Sequence, residues 1–101
     1  MNVDQLAGQT DPRDCIQYLT TNTLIKDDTL YRKYASKDKE LDLIREAIVH
    51  AKCWKRLPAG VITRPDRLLR NHDGVLVFLT EAIPNLPNGK PATLFTFLLQ
   101  H

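Results

Sequence analysis

A chain of 101 residues with an apolar share of 43% and a charged share of 26% is typical of one small soluble domain, and these values exclude wholesale disorder. The net charge of +2 is too small to indicate a partner. The apolar runs at residues 75–79 and 94–99 are far shorter than the roughly 20 residues of a membrane span. The start of the chain also lacks the basic residues and apolar core of a signal peptide. We therefore expect a cytoplasmic protein that begins at its native methionine and does not associate with membranes.

The distribution of charge is more informative than its sum. Residues 45–72 hold seven basic and two acidic side chains, a net charge of +5. Residues 1–44 have a net charge of −2 and residues 73–101 of −1. The excess of positive charge is therefore confined to the middle of the chain.

In chain order, residues 1–9 are expected to be a loose segment, followed by a single α+β domain over residues 10–101. A helix is predicted to begin at Asp11 and Pro12, because Asp can cap a helix and Pro suits its first position. This helix is expected to end in the Thr and Asn residues at 20–23. Residues 28–35 fit either a short helix or a strand, and the sequence leaves both open.

The strongest prediction is a helix from Lys37 to about Arg56, with Ser36 as its cap. Apolar residues recur there at helical spacing, and residues 57–60, Leu-Pro-Ala-Gly, end the pattern. The members of this apolar face are Leu41, Ile44, Ile48 and Ala51, flanked by Leu43, Ala47 and Trp54.

After Gly60 the pattern favours strands. Strands are predicted at residues 61–63, 75–80 and 92–100, with turns at 64–67 and 71–74 and a proline-rich loop at 84–91. About three N-terminal helices followed by a three-stranded antiparallel sheet indicate an α+β fold.

A short helix, a longer helix with exposed basic residues and then a hairpin resemble the element order of a winged helix. That resemblance implies a non-enzymatic DNA-binding module, in which the longer helix enters the major groove and the hairpin touches the phosphates. The candidate nucleic-acid-binding residues are Arg45, Lys52, Lys55 and Arg56 on the helix and Arg64, Arg67 and Arg70 near the hairpin. In the alternative interpretation these charges only complement the end of the helix dipole and keep the surface soluble.

The second functional hypothesis is a protein-binding inhibitor or adaptor encoded by a mobile element. Both faces of the strands at 75–80 and 92–100 are apolar, and three helices can cover one of them. A second copy can cover the other face and give a homodimer through the C-terminal strands, unless the helices divide between the two faces. The stiff loop at 84–91, which carries Leu86, is a second docking element for a protein partner.

Enzymatic and metal-binding functions have little support in the sequence. His50, His72 and His101 show none of the spacings that metal sites use, and two cysteines are too few for a structural zinc site. A metal-free ribonuclease would need His72 or His101 as a general acid or base, with an Arg on the phosphate. His50 is expected to be solvated at the edge of its helix. We predict a protein without catalytic residues, metal or cofactor.

Overall fold

The structure is a computed structural model, and it describes residues 1–22 and 28–82 of the chain. Within these residues, helices and one sheet form the α+β fold that the sequence predicts. The helices are α1 (Val3–Ala7), α2 (Pro12–Cys15) and α3 (Glu40–Arg56), and the strands are β1 (Thr21–Asn22), β2 (Leu30–Ala35), β3 (Pro65–Asn71) and β4 (Leu76–Glu81). Short 3₁₀ segments at Ile16–Tyr18 and Lys37–Lys39 precede β1 and α3.

The sheet has the strand order β1-β3-β4-β2 over the described residues. Strands β2, β4 and β3 are antiparallel neighbours, which confirms the predicted three-stranded antiparallel arrangement. The two-residue strand β1 pairs with the outer edge of β3 in parallel. The predicted strand at 92–100 and the predicted loop at 84–91 lie outside the described residues.

Residues 28–35 contain strand β2, so the strand alternative for this segment is the correct one. Strand β2 pairs with β4 over its whole length, from Leu30 opposite Glu81 to Ala35 opposite Leu76. Its two tyrosines, Tyr31 and Tyr34, suit a pleated and half-exposed strand better than a short helix. Only Ser36 and one 3₁₀ turn separate β2 from α3. The residues before α3 therefore form no helix-turn-helix, and the likeness to a winged helix ends there.

Strand β3 begins later than predicted. The strand predicted at 61–63 and the turn predicted at 64–67 are wrong, because β3 spans Pro65–Asn71. Leu68 faces Phe78 and Leu69 faces Val77, so this strand has one buried leucine on each side of the sheet. Pro65 occupies the first strand position, where a missing N–H is tolerated. Tertiary packing thus imposes a strand on a segment rich in arginine and leucine.

The predicted turn at 71–74 and the predicted strand after it are both present. The Asn71 side chain accepts hydrogen bonds from the backbone N–H groups of Asp73 and Val75, each at 3.0 Å. Gly74 has φ +79°, a conformation that glycine adopts without strain. Helix α2 also begins where expected, since the Asp11 carboxylate accepts from the Arg13 N–H at 2.9 Å. However, α2 ends at Cys15 and continues only as a 3₁₀ segment.

The N-terminal segment, predicted to be loose, contains helix α1. Val3, Leu6 and Ala7 are spaced so that they share one side of a helix, and Leu6 is fully buried. The Asn2 and Gln5 side chains form a capping box at its start. The carbonyl of Met1 accepts a hydrogen bond from the Leu68 N–H at 2.9 Å, which joins this segment to β3.

Helices α1, α2 and α3 contribute to a core with one face of the sheet. Five residues of α3 are buried there, and Leu41, which was predicted to join them, is 38% exposed. The buried residues of α3 are Leu43, Ile44, Ala47, Ile48 and Ala51, and the sheet contributes Ala35, Leu68, Leu76 and Phe78. The remaining buried members of this described cluster are Met1, Leu6 and Cys15, and the partly buried residues that pack against it are Val3, Ala7 and Leu19.

The opposite face of the sheet is also buried within the single chain. Leu69 is 2% exposed, and Val77 and Leu79 are fully buried. The sequence predicts that a second copy or a partner covers this face. At these three positions the chain needs no such cover, so they provide no open docking surface.

Candidate nucleic-acid interface

One side of α3 carries basic residues that face away from the core. At 100° per residue, Arg45, Val49, Lys52 and Arg56 fall within about 60° of one another, on an arc beside that of the buried residues of the helix. We call these four residues the outer face of α3. The Arg45 side chain is 62% exposed and Val49 is 54% exposed, whereas Lys52 is half-buried. Three of the four residues predicted on the helix, Arg45, Lys52 and Arg56, therefore share one surface.

The cations of the outer face are only weakly engaged by acidic groups. Arg45 Nη1 lies 3.5 Å from Asp42 Oδ1, and both side chains are more than 60% exposed. A solvated pair of this kind contributes roughly 0–1 kcal/mol and yields readily to another anion. Lys52 and Arg56 form no ion pair with any residue of 1–22 or 28–82. Both can meet phosphates without first breaking a salt bridge.

Lys55 and Arg64 lie beside this face rather than on it. Lys55 is about 100° around the helix from Arg56, and its ammonium group pairs with the Asp4 carboxylate of α1. Arg64 immediately precedes β3 and is exposed. Its backbone N–H lies 3.5 Å from Glu81 Oε2, while its guanidinium forms no ion pair within the described part of the chain. Arg64 is thus the one hairpin-side arginine that stays available.

Arg67 and Arg70, the other predicted hairpin residues, are held by the fold. Arg70 donates from Nη1 to Glu40 Oε2 at 2.6 Å and from Nη2 to Glu40 Oε1 at 3.2 Å. It also donates to the carbonyl of Gly74 at 3.2 Å. Arg67 Nε lies 3.0 Å from Asp66 Oδ2, but this buried N–H is not directed at the carboxylate and has no hydrogen-bond partner. The distance therefore indicates an electrostatic contact and not a hydrogen bond.

The pair of Glu40 and Arg70 has clear electrostatic consequences. The hydrogen bonds from Arg70 hold the pKa of the Glu40 carboxyl below its ordinary value. The same hydrogen bonds raise the pKa of the Arg70 guanidinium. Both groups are therefore charged at neutral pH, and their bidentate geometry is that of a strong ion pair. Arg70 is accordingly a structural residue that links β3 to the first turn of α3.

His50 differs from its expected place in solvent. Its Nε2 lies 2.7 Å from the carbonyl oxygen of Thr63, to which it donates a hydrogen bond. Its ring also meets the Phe78 ring edge to face, with centroids 5.5 Å apart and an interplanar angle of 82°. His50 is therefore half-buried and attaches the segment before β3 to α3. The position of His50 beside the apolar face of its helix was the available signal, but the partner carbonyl is set by tertiary structure.

His72, the described candidate for acid–base catalysis, lies in the exposed turn between β3 and β4. Its Nε2 is 3.4 Å from Asp73 Oδ1, and both side chains are more than 60% exposed. The neighbouring Arg70 already binds Glu40 and Gly74. His101 lies outside the described residues. The prediction that the protein is not an enzyme stays a prediction.

Two further observations concern residues 1–22 and 28–82 only. No helix among them combines the length and apolar composition needed to cross a membrane. No group of three or more His, Cys, Asp or Glu side chains in the same stretches is arranged to hold a metal ion.

A scan against protein-family models, a search of curated proteins and a search of solved structures each returned no match to the chain.

Proposed function

We propose that the chain is a small non-enzymatic module that binds nucleic acid through the outer face of α3 and Arg64. The observation that carries this proposal is the position of Lys52 and Arg56, which lie outside the core and have no acidic partner among the described residues. Arg45 extends the same surface towards the N-terminus of the helix. Phosphate oxygens are the anions that such a row of Lys and Arg side chains suits best.

The local sequence supports an anionic partner. Residues 47–65 contain four basic side chains and no acidic one. At a rise of about 1.5 Å per residue, Arg45 and Arg56 are about 16 Å apart along α3. A duplex carries one phosphate per ~3.4 Å of its axis on each strand. The outer face is therefore long enough to meet more than one phosphate.

The proposed binding site contains fewer residues than the seven that the sequence predicts. It retains Arg45, Lys52, Arg56 and Arg64, and it leaves Lys55 as a secondary contact because Asp4 neutralises it. Arg67 and Arg70 are excluded by their places in the sheet. Insertion of a recognition helix in the winged-helix manner is not part of the proposal, because β2 stands where that fold has a helix.

The experiment compares two double variants, each of which replaces two basic residues with Glu. Lys52→Glu with Arg56→Glu is expected to abolish binding to labelled oligonucleotides while the circular dichroism spectrum stays unchanged. Lys37→Glu with Lys39→Glu makes the same change in net charge at exposed positions of the 3₁₀ turn before α3, at the opposite end of this helix from Lys52 and Arg56, and it is expected to retain most of the binding. Equal losses in both variants would show that only net charge matters and would contradict a site on α3.

The alternative function, a protein-binding inhibitor or adaptor, stays a prediction. Its first surface, the second face of the sheet, is buried at Leu69, Val77 and Leu79. Its other element, the loop with Leu86, lies outside the described residues. No described feature favours this alternative over binding through α3.

A further inference from the structure

The segment that follows α3 is a short apolar projection. Residues 57–61, Leu-Pro-Ala-Gly-Val, are all exposed, and none of them has a polar side chain. Leu57 is 42% exposed and Val61 is 47% exposed. Single exposed aliphatic residues are common on protein surfaces, whereas here five consecutive exposed residues without a polar side chain form one apolar segment.

This projection is held in place at both ends. The Leu57 N–H donates to the Cys53 carbonyl at 2.9 Å, and the hydrogen bond from His50 fixes the carbonyl of Thr63. Between these anchors, the Val61 N–H donates to the Pro58 carbonyl at 3.3 Å. Gly60, with φ +86°, allows the tight turn that this bond closes. A fixed turn loses little conformational entropy when it binds, so its apolar side chains are presented ready for contact.

Cations flank the turn in the sequence. Arg56 immediately precedes it and Arg64 follows Thr63, and neither guanidinium has an ion pair within the described residues. An exposed apolar turn flanked by two cations suits a groove that has negative charge on both rims and apolar surface inside. A nucleic-acid groove has phosphates on its rims and stacked bases at its floor.

We infer that the turn at 57–61 is an apolar wedge that contacts the base stack while the outer face of α3 and Arg64 hold the phosphates. This inference rests on the proposed function and specifies its target further. Insertion of Leu57 or Val61 between bases requires unstacking, which is less costly where pairing is already disturbed. The preferred ligand is therefore a duplex with a mismatched or unpaired position.

The test compares two duplexes of equal length, one fully paired and one with a single central mismatch next to a 2-aminopurine. The wild type is expected to bind the mismatched duplex about tenfold more tightly and to increase the 2-aminopurine fluorescence. Leu57→Ala with Val61→Ala is expected to lose both effects while keeping its affinity for the paired duplex within about twofold, because the phosphate contacts remain. Leu41→Ala is the matched control, since Leu41 is 38% exposed and lies at the other end of α3.

Three results would overturn the inference. The first is equal binding of both duplexes by the wild type with no change in fluorescence; if that binding still requires Lys52 and Arg56, the proposed function stands alone. The second is that the variant with Leu57→Ala and Val61→Ala prefers the mismatched duplex as strongly as the wild type does. The third is no binding of either duplex, in which case the proposed function fails as well. Binding to phosphatidylserine vesicles through Leu57 and Val61, without duplex binding, would give this third result and identify a lipid surface as the occupant.

Discussion

Arg70 of β3 and Glu40 of α3 form a two-pronged ion pair, with Nη1–Oε2 at 2.6 Å and Nη2–Oε1 at 3.2 Å. The two residues are 30 positions apart in the chain, and their side chains are 27% and 17% exposed. The pair therefore connects the middle of the sheet to the N-terminus of the long helix. The pair also engages Arg70, which the sequence alone predicts to lie in the binding surface.

Replacement of Arg70 by Ala is expected to lower stability and leave nucleic-acid binding intact. Loss of a partly buried, bidentate partner leaves Glu40 without its charge-assisted hydrogen bonds, at a cost of about 1–3 kcal/mol. Urea denaturation measures this cost. Arg13→Ala is the control, because the Arg13 side chain is 76% exposed and its loss should cost less than about 0.5 kcal/mol. If the Arg70→Ala variant had normal stability but weaker nucleic-acid binding, Arg70 would have to be assigned to the binding surface.

The same pair predicts a dependence of stability on pH. Arg70 lowers the pKa of Glu40 in the folded state, so Glu40 binds its proton more weakly there than in the unfolded chain. Its contribution is therefore complete above the unfolded-state pKa of about 4.3 and is lost as the pH falls through the lower folded-state pKa. The difference in unfolding free energy between the wild type and Glu40→Gln should shrink between about pH 5 and about pH 3. A difference that stays constant over this range would contradict the assignment.

His50 is expected to hold the turn at 57–61. His50→Ala removes its hydrogen bond to Thr63 and its contact with Phe78, at a cost of about 1–2 kcal/mol. Amide hydrogen exchange, followed by mass spectrometry, should become faster in residues 57–63. His72→Ala, at an exposed position of the β3–β4 turn, should change neither quantity. Unchanged exchange in the His50 variant would mean that the hydrogen bond does not fix the turn.

Truncation on the second face of the sheet tests whether one chain covers that face alone. Leu79 is fully buried, so Leu79→Ala should cost about 2–5 kcal/mol. The denaturation midpoint of the wild type should be independent of protein concentration, because a single chain completes this core. A midpoint that rises over an approximately hundredfold increase in concentration would indicate that a second copy covers the face, as the sequence alone suggests.

The long helix was predictable because its apolar spacing and its end signals agree. Helix α3 ends at Arg56 as predicted, and its buried and basic sides follow from helical spacing alone. Strand β2 was ambiguous because a segment of six residues fits both periods. Strand β3 was missed because Leu68 and Leu69 are buried on opposite faces, which gives no alternation to recognise.

The binding surface was only partly predictable, for a related reason. Spacing along one helix places Arg45, Lys52 and Arg56 together without further information. Two of the remaining cations, Lys55 and Arg70, instead have partners far away in the sequence. Asp4 pairs with Lys55 across α1 and α3, and Glu40 pairs with Arg70 across helix and sheet. Composition counts these cations, but it does not reveal their partners.

The most direct test of nucleic-acid binding is the salt dependence of anisotropy with labelled duplex and single-stranded oligonucleotides. Four phosphate contacts, from Arg45, Lys52, Arg56 and Arg64, predict a slope of about −3.6 in log K against log salt for duplex. Affinity should therefore fall on the order of 10²-fold between about 50 and about 200 mM salt. No binding at the lower salt concentration would contradict a phosphate-binding face on α3 and would leave its cations as surface and helix-end charges.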